Sequence, residues 1–170
     1  MLRLILLRHA KSAWNDVSLG DAGRPLAPRG LRDAAAMGRR LAEHGYTPSE
    51  ILVSPAVRAR QTFDLVLPAF APAPRTRTVD AIYELMGGDY VELVRTEGGT
   101  SPVLMLIGHN SAMEETALRL AGLEDLPMRE RMAEKFPTAS AAVIDFAVAQ
   151  WRDIDAGQGR LAAFLAPRSG

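Results

Sequence analysis

The 170 residues predict a single α/β domain spanning 1–170, a three-layer fold in which a mostly parallel sheet is covered by helices on both faces. A C-terminal antiparallel hairpin is expected at one edge. Three observations carry this expectation. Leu4–Leu7, Ile51–Val53 and Val103–Ile107 are short, unbroken apolar runs, the pattern of strands buried on both sides. Segments of helical periodicity stand between those runs. Near the end, Ser140–Val148 and Arg160–Leu165 flank Gly157-Gln158-Gly159, which reads as a hairpin turn.

The elements follow in order. Leu2–Leu7 reads as the first strand, with Arg3 inside it and Arg8-His9 directly after. Ala10–Pro28 is polar and reads as a long loop. Over Arg29–Glu43 the residues Leu31, Ala34, Ala35, Gly38, Leu41 and Ala42 recur at helical spacing, and Gly45 supplies the stop. Ile51–Val53 is a second strand ended by Ser54-Pro55, and Ala56–Phe70 is helical up to the loop Ala71–Pro74. Thr76–Val79 reads as a third strand leading through Ala81–Tyr83 to Glu84. Gly87-Gly88 opens a short helix, Asp89–Glu97, which Gly98-Gly99 closes. Val103–Ile107 is the clearest strand, followed by a helix over Ser111–Leu120. Leu123–Pro137 is mixed and shows no clear period.

Composition narrows the function. The chain has 20 Lys+Arg against 20 Asp+Glu and no Cys. A neutral total argues against a dedicated nucleic-acid binder, which needs a basic face to neutralise several phosphates. The absence of Cys removes disulfides, thiolate metal sites and a thiol nucleophile. No apolar run approaches the ~20 residues needed to span a bilayer, so no membrane partner is expected and the cytoplasm is the default location. Eighteen of the twenty cations are Arg, and only Lys11 and Lys135 are Lys.

In open α/β sheets, ligands bind beyond the carboxyl ends of the strands. The polar residues at those ends are Arg8-His9, then Ser54 with Arg58 one turn further on, then Glu84, then His109. Two Arg, two His and a carboxylate make a pocket suited to a tetrahedral anion. The guanidiniums can clamp it, and a neutral imidazole can attack phosphorus. No His-Glu-x-x-His or comparable spacing suggests a metal, and neither the P-loop nor the dinucleotide glycine spacing follows the first strand. No metal and no cofactor are implied.

Three ordered segments carry a resemblance. Leu7-Arg8-His9-Ala10-Lys11-Ser12-Ala13-Trp14-Asn15 is similar to the opening motif of the histidine phosphatase (phosphoglycerate mutase-like) superfamily. Ser54-Pro55-Ala56-Val57-Arg58-Ala59-Arg60-Gln61-Thr62 resembles the second motif, and Gly108-His109-Asn110 the third. Ala10-Lys11-Ser12 and Arg24-Pro25-Leu26 make the chain most similar to the small SixA-like phosphohistidine phosphatases. The resemblance implies a phosphoglycerate mutase-like fold and a phosphohistidine intermediate on His9. It also implies that Arg8, Arg58 and His109 hold the transferring phosphoryl group. Glu84, in a Glu-x-x-x-Gly setting, resembles the acid of the mutases. Lys11, Ser12 and Asn15 follow the nucleophile and could add donors to the phosphate.

The expected activity is therefore that of a metal-independent phosphatase. Its partner is a phosphorylated protein, with protein phosphohistidine preferred, or a small phosphorylated metabolite hydrolysed by the same machinery. A phosphate-binding module without turnover is the non-enzymatic alternative. The chain is expected to act as a monomer. Other residues have plainer readings: Trp14 as buried packing, His44 as a helix C-terminal cation, Arg60 as helix surface, and Asp21 with Arg24 as a pair holding the long loop.

Overall fold

A computed structural model describes residues 1–168, and in it six strands form one sheet in the order β3-β2-β4-β1-β5-β6. These are β1 (Leu2–Arg8), β2 (Glu50–Val53), β3 (Arg75–Thr78), β4 (Val103–Gly108), β5 (Ala141–Phe146) and β6 (Arg160–Leu165). The first four are mutually parallel, β5 runs antiparallel to both β1 and β6, and β5-β6 form the expected edge hairpin. The helices are α1 (Pro28–Glu43), α2 (Val57–Val66), α3 (Ala81–Glu84), α4 (Val91–Glu97), α5 (Ala112–Leu120) and α6 (Leu126–Glu134).

Alternation along the strands builds two cores. Successive side chains of a strand point to opposite faces, so Ile5 and Leu7 join Met105, Ile107, Ile51 and Val53 under α1 and α2. Leu4 and Leu6 join Leu104, Leu106, Leu52 and Ile144 on the other face, where Ile82, Val94, Met113 and Met132 represent α3–α6. Both faces are covered.

Details depart from the sequence expectation. α2 ends at Val66, and Leu67–Ala69 continue as a tighter 3-10 turn. Leu31 is exposed, and α1 turns Asp33 and Met37 inward instead. The stretch without clear period contains α6, capped by the Asp125 carboxylate, which accepts the Met128 N–H. The connection between the hairpin strands is longer than a tight turn, because β5 ends at Phe146 and Trp151–Asp153 form a 3-10 turn before Gly157. β3 carries Arg75 and Arg77 at the exposed edge of the sheet. Arg77 pairs there with Glu50 and Glu97, a charged rim that discourages edge-to-edge association.

Among the described residues no helix is long and apolar enough to cross a membrane.

Candidate active site

Strand register sets the site. Arg8 pairs with Gly108, and Val53 pairs with Ile107, so His9, Ser54 and His109 leave the sheet at nearly one level. The His9 N–H donates to the Gly108 carbonyl at 3.0 Å, and the Ser54 N–H to that of Ile107 at 3.1 Å. Gly108 is required for space. A Cβ there would lie 2.8 Å from Ile82 Cγ2 and 2.9 Å from the Tyr90 hydroxyl. With that neck cleared, the two imidazole rings stand with centroids 5.2 Å apart.

His9 is 6 % exposed, and its Nδ1 lies 2.7 Å from the Ala10 carbonyl oxygen. A carbonyl only accepts, so Nδ1 carries the proton and Nε2 keeps its lone pair. The Arg58 Nε–H points at that lone pair from 3.3 Å. Burial pushes the His9 imidazole down to a pKa of about 3, against the Ala10 hydrogen bond, and His109, Arg58 and Arg8 add to the depression. The result is a neutral ring with a nitrogen nucleophile in a cationic setting.

His109 is buried behind it. Its Nε2 lies 2.7 Å from Ser54 Oγ, and its Nδ1 is buried with no partner. Ser54 Oγ already accepts the Ala56 N–H at 3.2 Å, which leaves the Ser54 proton free to face Nε2. In that tautomer His109 Nδ1–H is a donor without an acceptor. Burial, then the Arg58 charge, lowers the His109 pKa to about 4.

Arg58 sits in the first turn of α2 and is 3 % exposed. Its Nη1 donates to the Asp21 carbonyl at 2.8 Å and its Nη2 to the Asp21 carboxylate at 3.1 Å. Asp21 also accepts from Tyr83 at 2.6 Å and from Arg24, whose Nε and Nη2 lie 3.2 and 3.1 Å away. The Tyr83 hydrogen bond, then the Arg58 and Arg24 contacts, hold the Asp21 carboxyl down at about 2. Arg8 donates through Nη1 to the Phe136 carbonyl at 2.7 Å, while its Nε is buried without a partner.

Arg8, His9, Arg58 and His109, named from the sequence, therefore share one electrostatic neighbourhood. The other three named residues do not join it. Glu84 is exposed at the end of α3, and among the described residues no hydrogen bond or ion pair holds its carboxylate. Its neighbour Tyr83 is the residue that packs edge-on against His109. Asn15 is exposed and forms no hydrogen bond with the site. Lys11 is exposed and lines a separate cleft together with Arg8.

Trp14 departs from its expected burial. It is 70 % exposed, with the Arg24 guanidinium 3.5 Å from its ring centroid. The Asp21–Arg24 pair exists as expected, and the same Asp21 carboxylate also reaches Arg58. Ser54 and Tyr83 join the site against His109 without belonging to the catalytic or phosphate-binding set expected from the sequence. Ser54 carried a signal in its place at a strand end, whereas Tyr83 carried none. Among the described residues no group of three or more His, Asp or Glu is placed to hold a metal ion.

Residues 4–133 match the model of the histidine phosphatase superfamily (branch 1). The chain belongs to that superfamily. An uncharacterised protein of Mycobacterium tuberculosis is 36 % identical over 164 residues, covering 95 % of this chain and all of that one. A chloroplast protein of Arabidopsis thaliana, also uncharacterised, is 31 % identical and covers 98 % and 78 % of the two chains. A crystal structure from Agrobacterium tumefaciens, assigned as a phosphohistidine phosphatase SixA, is 29 % identical. It superposes on this histidine phosphatase with a TM-score of 0.79 over 98 % of each chain. The structure of protein histidine phosphatase SixA with tungstate shares the fold, with 20 % identity, a TM-score of 0.74 and 99 % coverage of both.

Proposed function

We propose that this histidine phosphatase works by covalent phosphoryl transfer through His9, without a metal, and that protein phosphohistidine is its preferred substrate. The neutral His9 ring supports the reading: Nδ1–H is fixed on the Ala10 carbonyl, and the Nε2 lone pair faces the Arg58 Nε–H, which turns to the phosphoryl group as Nε2 attacks. In the first step Nε2 attacks phosphorus, the bond to the leaving group breaks, and the leaving group takes a proton from an acid or from solvent. In the second, water attacks the phosphorus of phospho-His9, loses a proton, and releases phosphate and the free imidazole.

Charge stabilisation falls to Arg8, Arg58 and the unmatched His109 Nδ1–H. Preorganised donors of this kind supply what a metal would otherwise give. The buried, partnerless Arg8 Nε and His109 Nδ1 support this role, because a phosphoryl oxygen would complete both. Glu84 is the proposed acid for poor leaving groups. The preference for phosphohistidine rests on the likeness to the SixA structures. Hydrolysis of a small phosphomonoester uses the same residues and is the competing reading.

Rapid quenching of a reaction with labelled substrate is expected to trap acid-labile, alkali-stable phosphate on the protein. His9→Ala should abolish both label and turnover, and exhaustive chelation should leave the wild-type rate unchanged. Wild-type turnover by His9→Ala would overturn the mechanism. Comparing a phosphohistidine protein with common phosphorylated metabolites decides the substrate.

A further inference from the structure

A second cleft of about 420 Å³ opens beside the site, with Arg8, Lys11, Arg29, Asp33, Lys135 and Thr138 in its walls. Four cations there face one carboxylate, in a chain whose total charge is zero. The only two lysines of the sequence meet in it, and among the described residues no hydrogen bond or ion pair holds either ammonium. Arg29 is exposed and lies 3.8 Å from Asp33.

Arg8 joins this cleft to the nucleophile. Its charge is felt at His9, where it helps to lower the imidazole pKa, and its side chain forms part of the cleft wall. The wall carrying Lys135 is stitched to the same strand end. The neighbouring Phe136 carbonyl accepts from Arg8 Nη1, and the Ala139 N–H reaches the Arg8 and His9 carbonyls, each at 3.1 Å. The opposite wall is fixed as well. The Ala27 N–H donates to the Lys11 carbonyl at 2.9 Å, and Gly30 lets α1 approach that carbonyl so closely that a Cβ would overlap it. The cleft is thus held in place relative to His9 rather than floating on a loop.

We infer that this cleft is a second anion subsite, which holds an acidic group of the same substrate molecule while its phosphoryl group faces His9. The volume lies within the range of small-ligand pockets, about 300–1,000 Å³, and exceeds what one phosphate needs. Flexible, unpaired lysines serve as point charges that take a carboxylate or a phosphate alike. The acidic group is therefore either an Asp or Glu beside a phosphohistidine or a second phosphate on a metabolite. The inference rests on the phosphatase reading for its role in turnover, but the subsite itself can be tested by binding.

Calorimetry on the His9→Ala protein compares a hexose monophosphate with a hexose bisphosphate, and a phosphohistidine peptide with neutral flanks against one with acidic flanks. In at least one pair the added anion should tighten binding about tenfold, and the gain should shrink at 0.5 M salt, where the Debye length falls below about 5 Å. Which pair responds identifies the source of the anion. Lys135→Glu, and separately Arg29→Gln, should remove the gain while leaving phenyl phosphate turnover of the otherwise wild-type protein within about twofold. No gain in either pair overturns the subsite, as does an equal loss for phenyl phosphate in both variants. Failure of the wild-type protein to hydrolyse phenyl phosphate would count against the phosphatase reading and leave the binding comparison standing.

Discussion

Arg58→Lys separates charge from geometry at the candidate site. The native guanidinium makes three directed contacts: Nε to His9 Nε2 at 3.3 Å, and Nη1 and Nη2 to Asp21 at 2.8 and 3.1 Å. A lysine keeps the positive charge but replaces the planar fork with a single rotatable ammonium. On the proposed mechanism the fork turns from these contacts to two oxygens of the transferring phosphoryl group. Losing one preorganised donor to developing charge costs about 2.7–4 kcal/mol, so kcat should fall roughly 10²–10³-fold. Stability should fall much less, by about 1–2 kcal/mol, because Asp21 keeps its hydrogen bonds from Arg24 and Tyr83. The His9 ring should stay neutral, since burial is the first cause of its depressed pKa and the neighbouring charge is retained. Single-turnover kinetics with phenyl phosphate, alongside urea unfolding, would show this split. A variant within threefold of the wild-type kcat would refute the clamp, and so would a loss of rate explained by unfolded protein.

The remaining expectations are compact. Both site histidines titrate far below the ordinary 6.5, at about 3 and about 4, so the unfolded chain binds their protons first as pH falls. Their contribution is complete above pH 6.5 and drains away toward pH 4, by up to about 1.4 kcal/mol per pH unit for each ring, and urea midpoints across that window should decline accordingly. A flat profile would contradict the buried neutral pair. Gly30→Ala should destabilise the fold by about 1–3 kcal/mol in chemical denaturation, because the new methyl meets the Lys11 carbonyl and not a movable side chain. Glu84→Gln should slow alkyl phosphate hydrolysis by about 10²-fold or more and spare aryl phosphate and phosphohistidine. Equal, small effects on all three would assign Glu84 to the exposed end of α3 and not to the chemistry.

Much of this architecture was legible because a strand end is both a pattern and a place. The run Val103–Ile107 ends at Gly108 for the same reason that His109 stands at the rim of the sheet, namely that the sheet stops there. The two-faced burial of β1, β2 and β4 follows from their unbroken apolar character. β3 is different. Its Arg-Thr alternation is exposed throughout, and it is a strand because β2 offers it an edge to pair with. α6 has a weak apolar stripe, with Met132 its one fully buried residue, so tertiary packing and the Asp125 cap decide it. Trp14 departs from the expectation because ring size suggests a core, while the ring lies exposed over the guanidinium of the buried Arg24. The grip of Asp21 on Arg58 joins residues 37 apart, and that of Tyr83 on Asp21 joins residues 62 apart. Spacing along the chain holds no record of either.

Those two contacts also define what the site must do on binding. Buried Arg58 is compensated by Asp21, whose carboxylate occupies one Nη of the guanidinium and whose backbone oxygen occupies the other. On the proposed mechanism a phosphoryl dianion enters an occupied clamp, and its affinity is a difference between its own contacts and those it displaces. Asp21 loses little when released from Arg58, because Arg24 and Tyr83 continue to hold it and its backbone lies on a loop bridged through Ser12 and Leu26. Arg24 is anchored in turn, with Nη1 on Ser12 Oγ at 2.5 Å and its face on Trp14. The polar loop after the nucleophile thus acts as a store of compensating charge. It keeps Arg58 buried and aimed, and on the proposed mechanism it would yield hydrogen bonds to the phosphoryl group without unfolding.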